Sequence, residues 1–170
     1  MKTFLSLILF LFCVSAAAQY RSAYLQASGL TCAMCSNAIN KSVSKLPFVE
    51  TVEADLNNSA FVIQFKKDMP VSFDELKKKV EEAGFSVALL KVTATVTELK
   101  VKKGEVVSLG GLHLWFVNAS SGVLTGETTF SLMEKGFLTT KEFKKSGNTV
   151  TNPAYESAVA TGKRVYVVSL

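Results

Sequence analysis

Cysteine, histidine, tryptophan and arginine are all scarce in this chain, and each scarcity narrows what it does. Among 170 residues there are three cysteines, one histidine and one tryptophan. A structural zinc site wants four ligands, usually two Cys-x-x-Cys pairs, and only one such pair exists here. Arginine occurs only at Arg21 and Arg164. A nucleic-acid-binding chain would show clustered arginine with stacking aromatics; here lysine dominates, interleaved with acidic residues, to a net charge of +5. No Ser–His–Asp set, paired acids or phosphate loop is present, so the chain does not read as an enzyme. The one long apolar run, Phe4 to Val14, is too short for a bilayer span. There is no heptad, internal repeat or low-complexity stretch.

That apolar run has a different meaning. Met1-Lys2 gives a short positive start, and Ser15-Ala16-Ala17-Ala18 supplies the small residues of a cleavage site. Residues 1–18 are expected to be a secretory signal cut after Ala18, which makes the protein secreted or periplasmic with no stable membrane span. Cys13 lies inside the run and not at the cleavage point, which argues against lipidation. Only Cys32 and Cys35 survive processing.

What remains is organised around Gly29-Leu30-Thr31-Cys32-Ala33-Met34-Cys35, which leads into a helical pattern from Ser36 to Leu46. Two thiols three positions apart at a helix N-terminus ionise readily, because the dipole and the free N–H groups of the first turn favour a negative sulfur. A thiolate pair is a soft site, for which Cu(I) is the natural guest. In an oxidising compartment the same pair also reads as a plain disulfide or as a redox-active dithiol.

The flanking pattern is a strand (Arg21–Ser28, with Ala23, Leu25 and Ala27 alternating), the cysteine loop, and a helix with Ile39, Val43 and Leu46 on one stripe. A hairpin follows: Val49–Leu56, with Val52, Ala54 and Leu56 on one face, a turn at Asn57-Asn58-Ser59, then Ala60–Phe65. A second helix starts at the Ser72/Glu75 capping box, carries Phe73, Leu76, Val80 and Ala83 inward, and ends before Gly84. Phe85 to Val92 closes the unit. The order β-α-β-β-α-β predicts an α+β, ferredoxin-like sandwich over residues 19–92.

Beyond residue 92 the alternation slips phase between Val96 and Leu99, which implies a bulge or a change of sheet. Leu112–Val117 reads as a central strand buried on both faces, Val123–Met133 as another strand, Gly136–Lys145 as a strand or edge, and Lys163–Leu170 as a closing strand; Tyr155–Thr161 is ambiguous. Residues 93–170 are therefore expected to be a separate small all-β domain, a sandwich or barrel of about six strands.

Residues Gly29 to Val92 resemble the heavy-metal-associated domain family of small copper chaperones and copper-pumping ATPases. Gly29-Leu30-Thr31-Cys32-Ala33-Met34-Cys35 is close to that family's G-M-T-C-x-x-C, and Glu82-Ala83-Gly84-Phe85 is close to its E-x-A-G-Y/F. A signal peptide ahead of one such domain is also similar to the periplasmic mercury-binding protein. The resemblance implies a Cu(I) chaperone or scavenger whose ligands are Cys32 and Cys35. It also implies a copper-handling protein or metal-transporting ATPase as partner. Hg(II) is the alternative cargo, and thiol–disulfide exchange the alternative activity. Leu30 stands where the family has Met as an apolar tether, and Phe85 where it has Tyr or Lys near the loop.

Three further groups are candidates. Met34 offers a thioether as a third Cu(I) ligand, or is simply an exposed loop residue. His113, with Trp115 and Met133, is a candidate second copper site, or a structural histidine in an apolar strand. Lys77, Lys78 and Lys79, with Lys41 and Lys45, offer a basic docking face or merely a solvated one.

Overall fold

The structure is a computed structural model that describes residues 19–30, 33–146 and 153–170. The segment expected to be a signal, with Cys13, lies outside the described residues.

The first unit runs β1 (Gln19–Ser28), α1 (Ala33–Val43), β2 (Val49–Asp55), β3 (Ala60–Phe65), α2 (Phe73–Glu82) and β4 (Ser86–Val101). Its strands lie side by side in the order β2-β3-β1-β4, each pair antiparallel. The two helices pack together on one face, where the Ser42 hydroxyl donates to the Lys79 carbonyl at 2.8 Å. This is the expected ferredoxin-like arrangement. Ala23, Leu25, Phe61, Ile63 and Phe65 from the strands meet Ile39, Val43, Phe73, Leu76 and Val80 from the helices, all buried. Each large side chain removed from water here contributes about 1.5–3 kcal/mol.

The ends of α2 follow their sequence signals. Ser72 caps its start by accepting from the Glu75 amide at 3.2 Å. Its end is a Schellman turn: the Gly84 amide donates to the Glu81 carbonyl at 2.9 Å and the Phe85 amide to that of Val80 at 3.2 Å. Gly84 takes φ +90° there. Of the expected face Val52, Ala54 and Leu56, only Val52 is partly buried; Ala54 and Leu56 are exposed. Leu56 is 59% exposed, because β2 stops at Asp55, whose carboxylate accepts from the Asn58 amide and side chain and draws Leu56 into the turn.

The second part of the chain adds β5 (Val106–Leu109), β6 (Leu112–Phe116), β7 (Gly122–Leu132), α3 (Thr140–Lys145), α4 (Pro153–Ala160) and β8 (Val165–Ser169). It is not all-β, and it does not stand apart. All strands belong to one eight-stranded sheet, ordered β2-β3-β1-β4-β7-β8-β6-β5. The boundary expected between residues 92 and 93 falls inside β4, which pairs with β1 from Ser86 to Thr95 and with β7 from Lys91 to Val101. The phase slip is a bulge: the β4–β7 register shifts between Val96 and Leu99. The reason for the fusion is the apolar face. Phe130, Leu132, Tyr166 and Val168 join the same buried cluster as Phe73 and Leu25, so neither part has a core of its own to close.

Burial within this part also differs from expectation. β6 buries only Leu114 and Phe116 fully, so it is covered closely on one face. The strand buried on both faces is β8, with Val165, Tyr166, Val167 and Val168 in succession; it lies between β7 and β6 and runs parallel to β6. The sheet curls back on itself. Tyr20 on β1 donates to the Leu109 carbonyl on β5 at 2.8 Å, although these strands are far apart in the sheet order.

Arg164 ties β8 to α2. Its guanidinium holds Asp74 through two bonds, at 2.8 and 3.2 Å, and Glu134 through two more, at 2.6 and 3.3 Å. It also lies 4.1 Å from the centre of the Tyr166 ring, whose hydroxyl donates to Asp74 at 3.0 Å. Partial burial works to raise the Asp74 carboxyl, but the bonds and charge of Arg164 outweigh it and hold that carboxyl below its ordinary range.

Candidate metal centre

The cysteine loop begins where β1 ends. Gly29 takes φ +81°, the left-handed turn that glycine adopts without strain. Leu30 packs partly buried against the core, as an apolar tether beneath the loop should, and its carbonyl accepts from the Ser59 hydroxyl at 3.4 Å. Thr31 and Cys32 lie outside the described residues. Cys35 is half-buried in the first turn of α1. That turn carries no acidic residue of its own, and the positive helix end favours a negative sulfur there. Met34 is 84% exposed, which fits the exposed loop residue. Ser36, directly after Cys35, is buried.

The wall of the loop is set by register. Ser28 pairs with Ser86 across β1 and β4, which brings Phe85 to the same end of the sheet as Gly29. Phe85 is partly buried against the core. It shields that end and adds no charge.

The other candidates are spread through the fold. His113 and Trp115 share the face of β6 opposite Leu114 and Phe116, and the Trp115 ring packs on Tyr155 of α4 at 6.1 Å. The Met133 amide donates to the Val167 carbonyl at 2.8 Å just beyond β7. Among the described residues no three His, Cys, Asp or Glu side chains gather to hold a metal. The lysine face is partly spent. Lys77 Nζ lies 5.4 Å from the centre of the Phe137 ring, under the second part of the chain. Lys79 and Lys78 reach Glu82 at 2.6 and 3.9 Å. Lys41 and Lys45 are exposed.

Sequence reading missed the segment that flanks this end of the molecule. The sequence reading of Gly136–Lys145 is strand or edge, yet Thr139 and Glu142 form a capping box that starts α3. The Thr-x-x-Glu spacing was there to be read. Among the described residues no helix is long and apolar enough to cross a membrane.

Residues 25–86 match the model of the heavy-metal-associated domain. A copper-transporting ATPase of Helicobacter pylori is 34% identical over 58 residues, which make up 34% of this chain and 8% of that protein. The copper chaperone CopZ of Staphylococcus epidermidis is 29% identical over 63 residues, 37% of this chain and 91% of the chaperone. Among solved structures, oxidized MerP from Ralstonia metallidurans CH34 is 28% identical with a TM-score of 0.36, covering 40% of this chain and 96% of that one. The chain thus spans a small fraction of the ATPase, and the part beyond residue 86 lies outside the family match.

Proposed function

We propose that the protein, whose residues 25–86 match the heavy-metal-associated domain, is a secreted or periplasmic carrier of Cu(I) that binds the ion between Cys32 and Cys35. The observation that carries this reading is the match of the cysteine loop and its ferredoxin-like support to a metal-binding family, with Cys35 in the first turn of α1. The copper-handling relatives support copper as the cargo. Two thiolates hold Cu(I) in a low-coordinate site and leave it open to a partner's thiols. The ion then passes by ligand exchange, with no bond in the protein made or broken. A copper-handling protein or a metal-transporting ATPase is the partner we propose. We propose export on the signal-like composition of residues 1–18.

Hg(II) has the same preference for paired thiolates. A direct competition between the two ions on one sample ranks them. The deciding experiment titrates the reduced protein with Cu(I) against a chromophoric chelator. One equivalent is expected to be withdrawn from the chelator by wild type. None should be withdrawn by Cys35→Ser or Cys32→Ser, or by the oxidised form. Equal competition by the serine variants would overturn the assignment. Failure of wild type to compete, with turnover of protein disulfides, would make the pair a redox site.

A further inference from the structure

The segment after β7 lies outside the family match, and it builds a groove at the flank of the metal loop. The groove encloses about 410 Å3. Its floor is apolar, from Val87, Leu138 and Phe143, and its rim carries Lys135, Lys144 and Glu81. Val87 and Leu138 are buried in the fold beneath it. Ser86 also lines it and is the cross-strand partner of Ser28, one residue before Gly29. The groove therefore lies at the end of the sheet where Gly29 starts the cysteine loop, on the other side of β4 from β1.

Two features define what fits. The first is an open strand edge. β4 pairs with β7 only from Lys91 onward. Among the described residues its earlier stretch, Ser86–Leu90, has β1 on one side and no strand on the groove side. An extended peptide can pair there through its main chain and drop alternate side chains onto the apolar floor. The second is charge. The segment brings Lys135, Lys141, Lys144 and Lys145 to this end. Its own carboxylates are engaged: Glu142 caps α3 and Glu134 is held by Arg164. Glu81 is the one acidic residue in the lining.

The geometry points to this groove as the docking site for an extended, acidic segment of the protein that exchanges metal with the cysteine loop. The identity of that partner rests on the carrier function proposed above, whereas the groove's preference for an acidic strand rests on the β4 edge and the lysines at and around the lining. The extension thus selects the partner and sets its approach from the β4 side, while the loop itself holds the ion.

The test uses the reduced, metal-free chain from Gln19 onward, which contains every described element. The probe is a fluorescent seven-residue peptide of alternating aspartate and valine, measured by anisotropy; its control replaces each aspartate with lysine. The acidic peptide is expected to bind at least about tenfold more tightly than the control, and to weaken as salt rises. Lys135→Glu combined with Lys144→Glu should abolish that preference and leave Cu(I) affinity unchanged. Amide shifts on binding should centre on Ser86–Leu90 and Leu138. Equal binding of both peptides, or shifts centred elsewhere, would overturn the proposal. Loss of Cu(I) affinity in the cysteine variants with peptide binding intact would bear on the metal site alone.

Discussion

Replacing Arg164 with alanine tests whether the second part of the chain is fastened to the metal-binding fold or merely lies against it. The bonds to Asp74 join side chains that are 45% and 41% exposed, so solvent screening limits that pair to at most about 1 kcal/mol. Glu134 is different. It is 15% exposed and also accepts from the Val167 amide at 2.6 Å. Left without its cation, it costs about 1–2 kcal/mol. Loss of the guanidinium from the Tyr166 ring adds about 0.5 kcal/mol. The expected destabilisation is about 2–3 kcal/mol. With a urea slope of about 2 kcal/mol per molar, the midpoint should fall by roughly 1 M. The pH dependence has a definite sign. Arg164 holds the Asp74 carboxyl below its ordinary value of 3.8 in the folded state. That stabilisation is present above the unfolded value and is lost as pH falls through the folded one. The gap between wild type and Arg164→Ala should therefore be widest near neutrality and narrow in acid by the Asp74 share. A midpoint shift under about 0.3 M, or a gap that stays constant from neutral pH into acid, would refute the latch.

Other outcomes follow from single contacts. Tyr20→Phe removes the buried bond to the Leu109 carbonyl and should cost about 1–2 kcal/mol in urea unfolding. Burial first, and the neighbouring Tyr166 second, push the Tyr20 hydroxyl well above its ordinary value of 10.0. An alkaline absorbance titration of folded Tyr20→Phe should consequently lose no step near that value. Because the unfolded chain gives up this proton more readily, wild-type stability should fall as pH rises past it. Gly84→Ala meets no atom within 4 Å at its new Cβ, yet must adopt φ +90°. It should cost about 1 kcal/mol through backbone strain alone, read as a small fall in thermal midpoint with metal affinity intact. The shared core predicts one cooperative transition for residues 19–170, with ring signals of Phe73 and Phe130 lost together; two separated transitions would contradict it.

The sequence made the first unit legible because each of its signals is local. Ala23, Leu25 and Ala27 alternate, Ile39 and Val43 repeat at helical spacing, Ser72 caps, and Gly84 stops. Even the bulge near Thr97 shows as a broken alternation. The second part was less legible because its burial is decided at a distance. Nothing next to Tyr166 in sequence says that its ring will meet Phe73 at 5.1 Å, or that Arg164 will face Asp74. The alternation in Leu112–Phe116 could not reveal that one face is only partly covered while β8 takes the fully covered position. Of the candidate site, Cys35 lies within the first turn of α1, Leu30 and Phe85 pack partly buried on the core, and Met34 is exposed. Cys32 lies outside the described residues. The groove beside the loop was hidden because it forms between segments some fifty residues apart in sequence, Glu81–Val87 and Lys135–Lys144.

The position of β8 sets an order of events. Val165–Ser169 follows every other described element in sequence, yet it fills the gap between β7 and β6 with four successive buried side chains. As the chain is made from its N-terminus, β6 and β7 emerge with no common neighbour. Phe73 waits for its ring partner, and Asp74 waits for its cation. Local pieces such as the β2–β3 hairpin can form early, but the keystone strand arrives last. Contacts spanning some ninety residues must then close together. Closing the sheet between β7 and β6 therefore has to wait until Val165–Ser169 has been made, and seating that strand joins the β1–β4 unit to its extension.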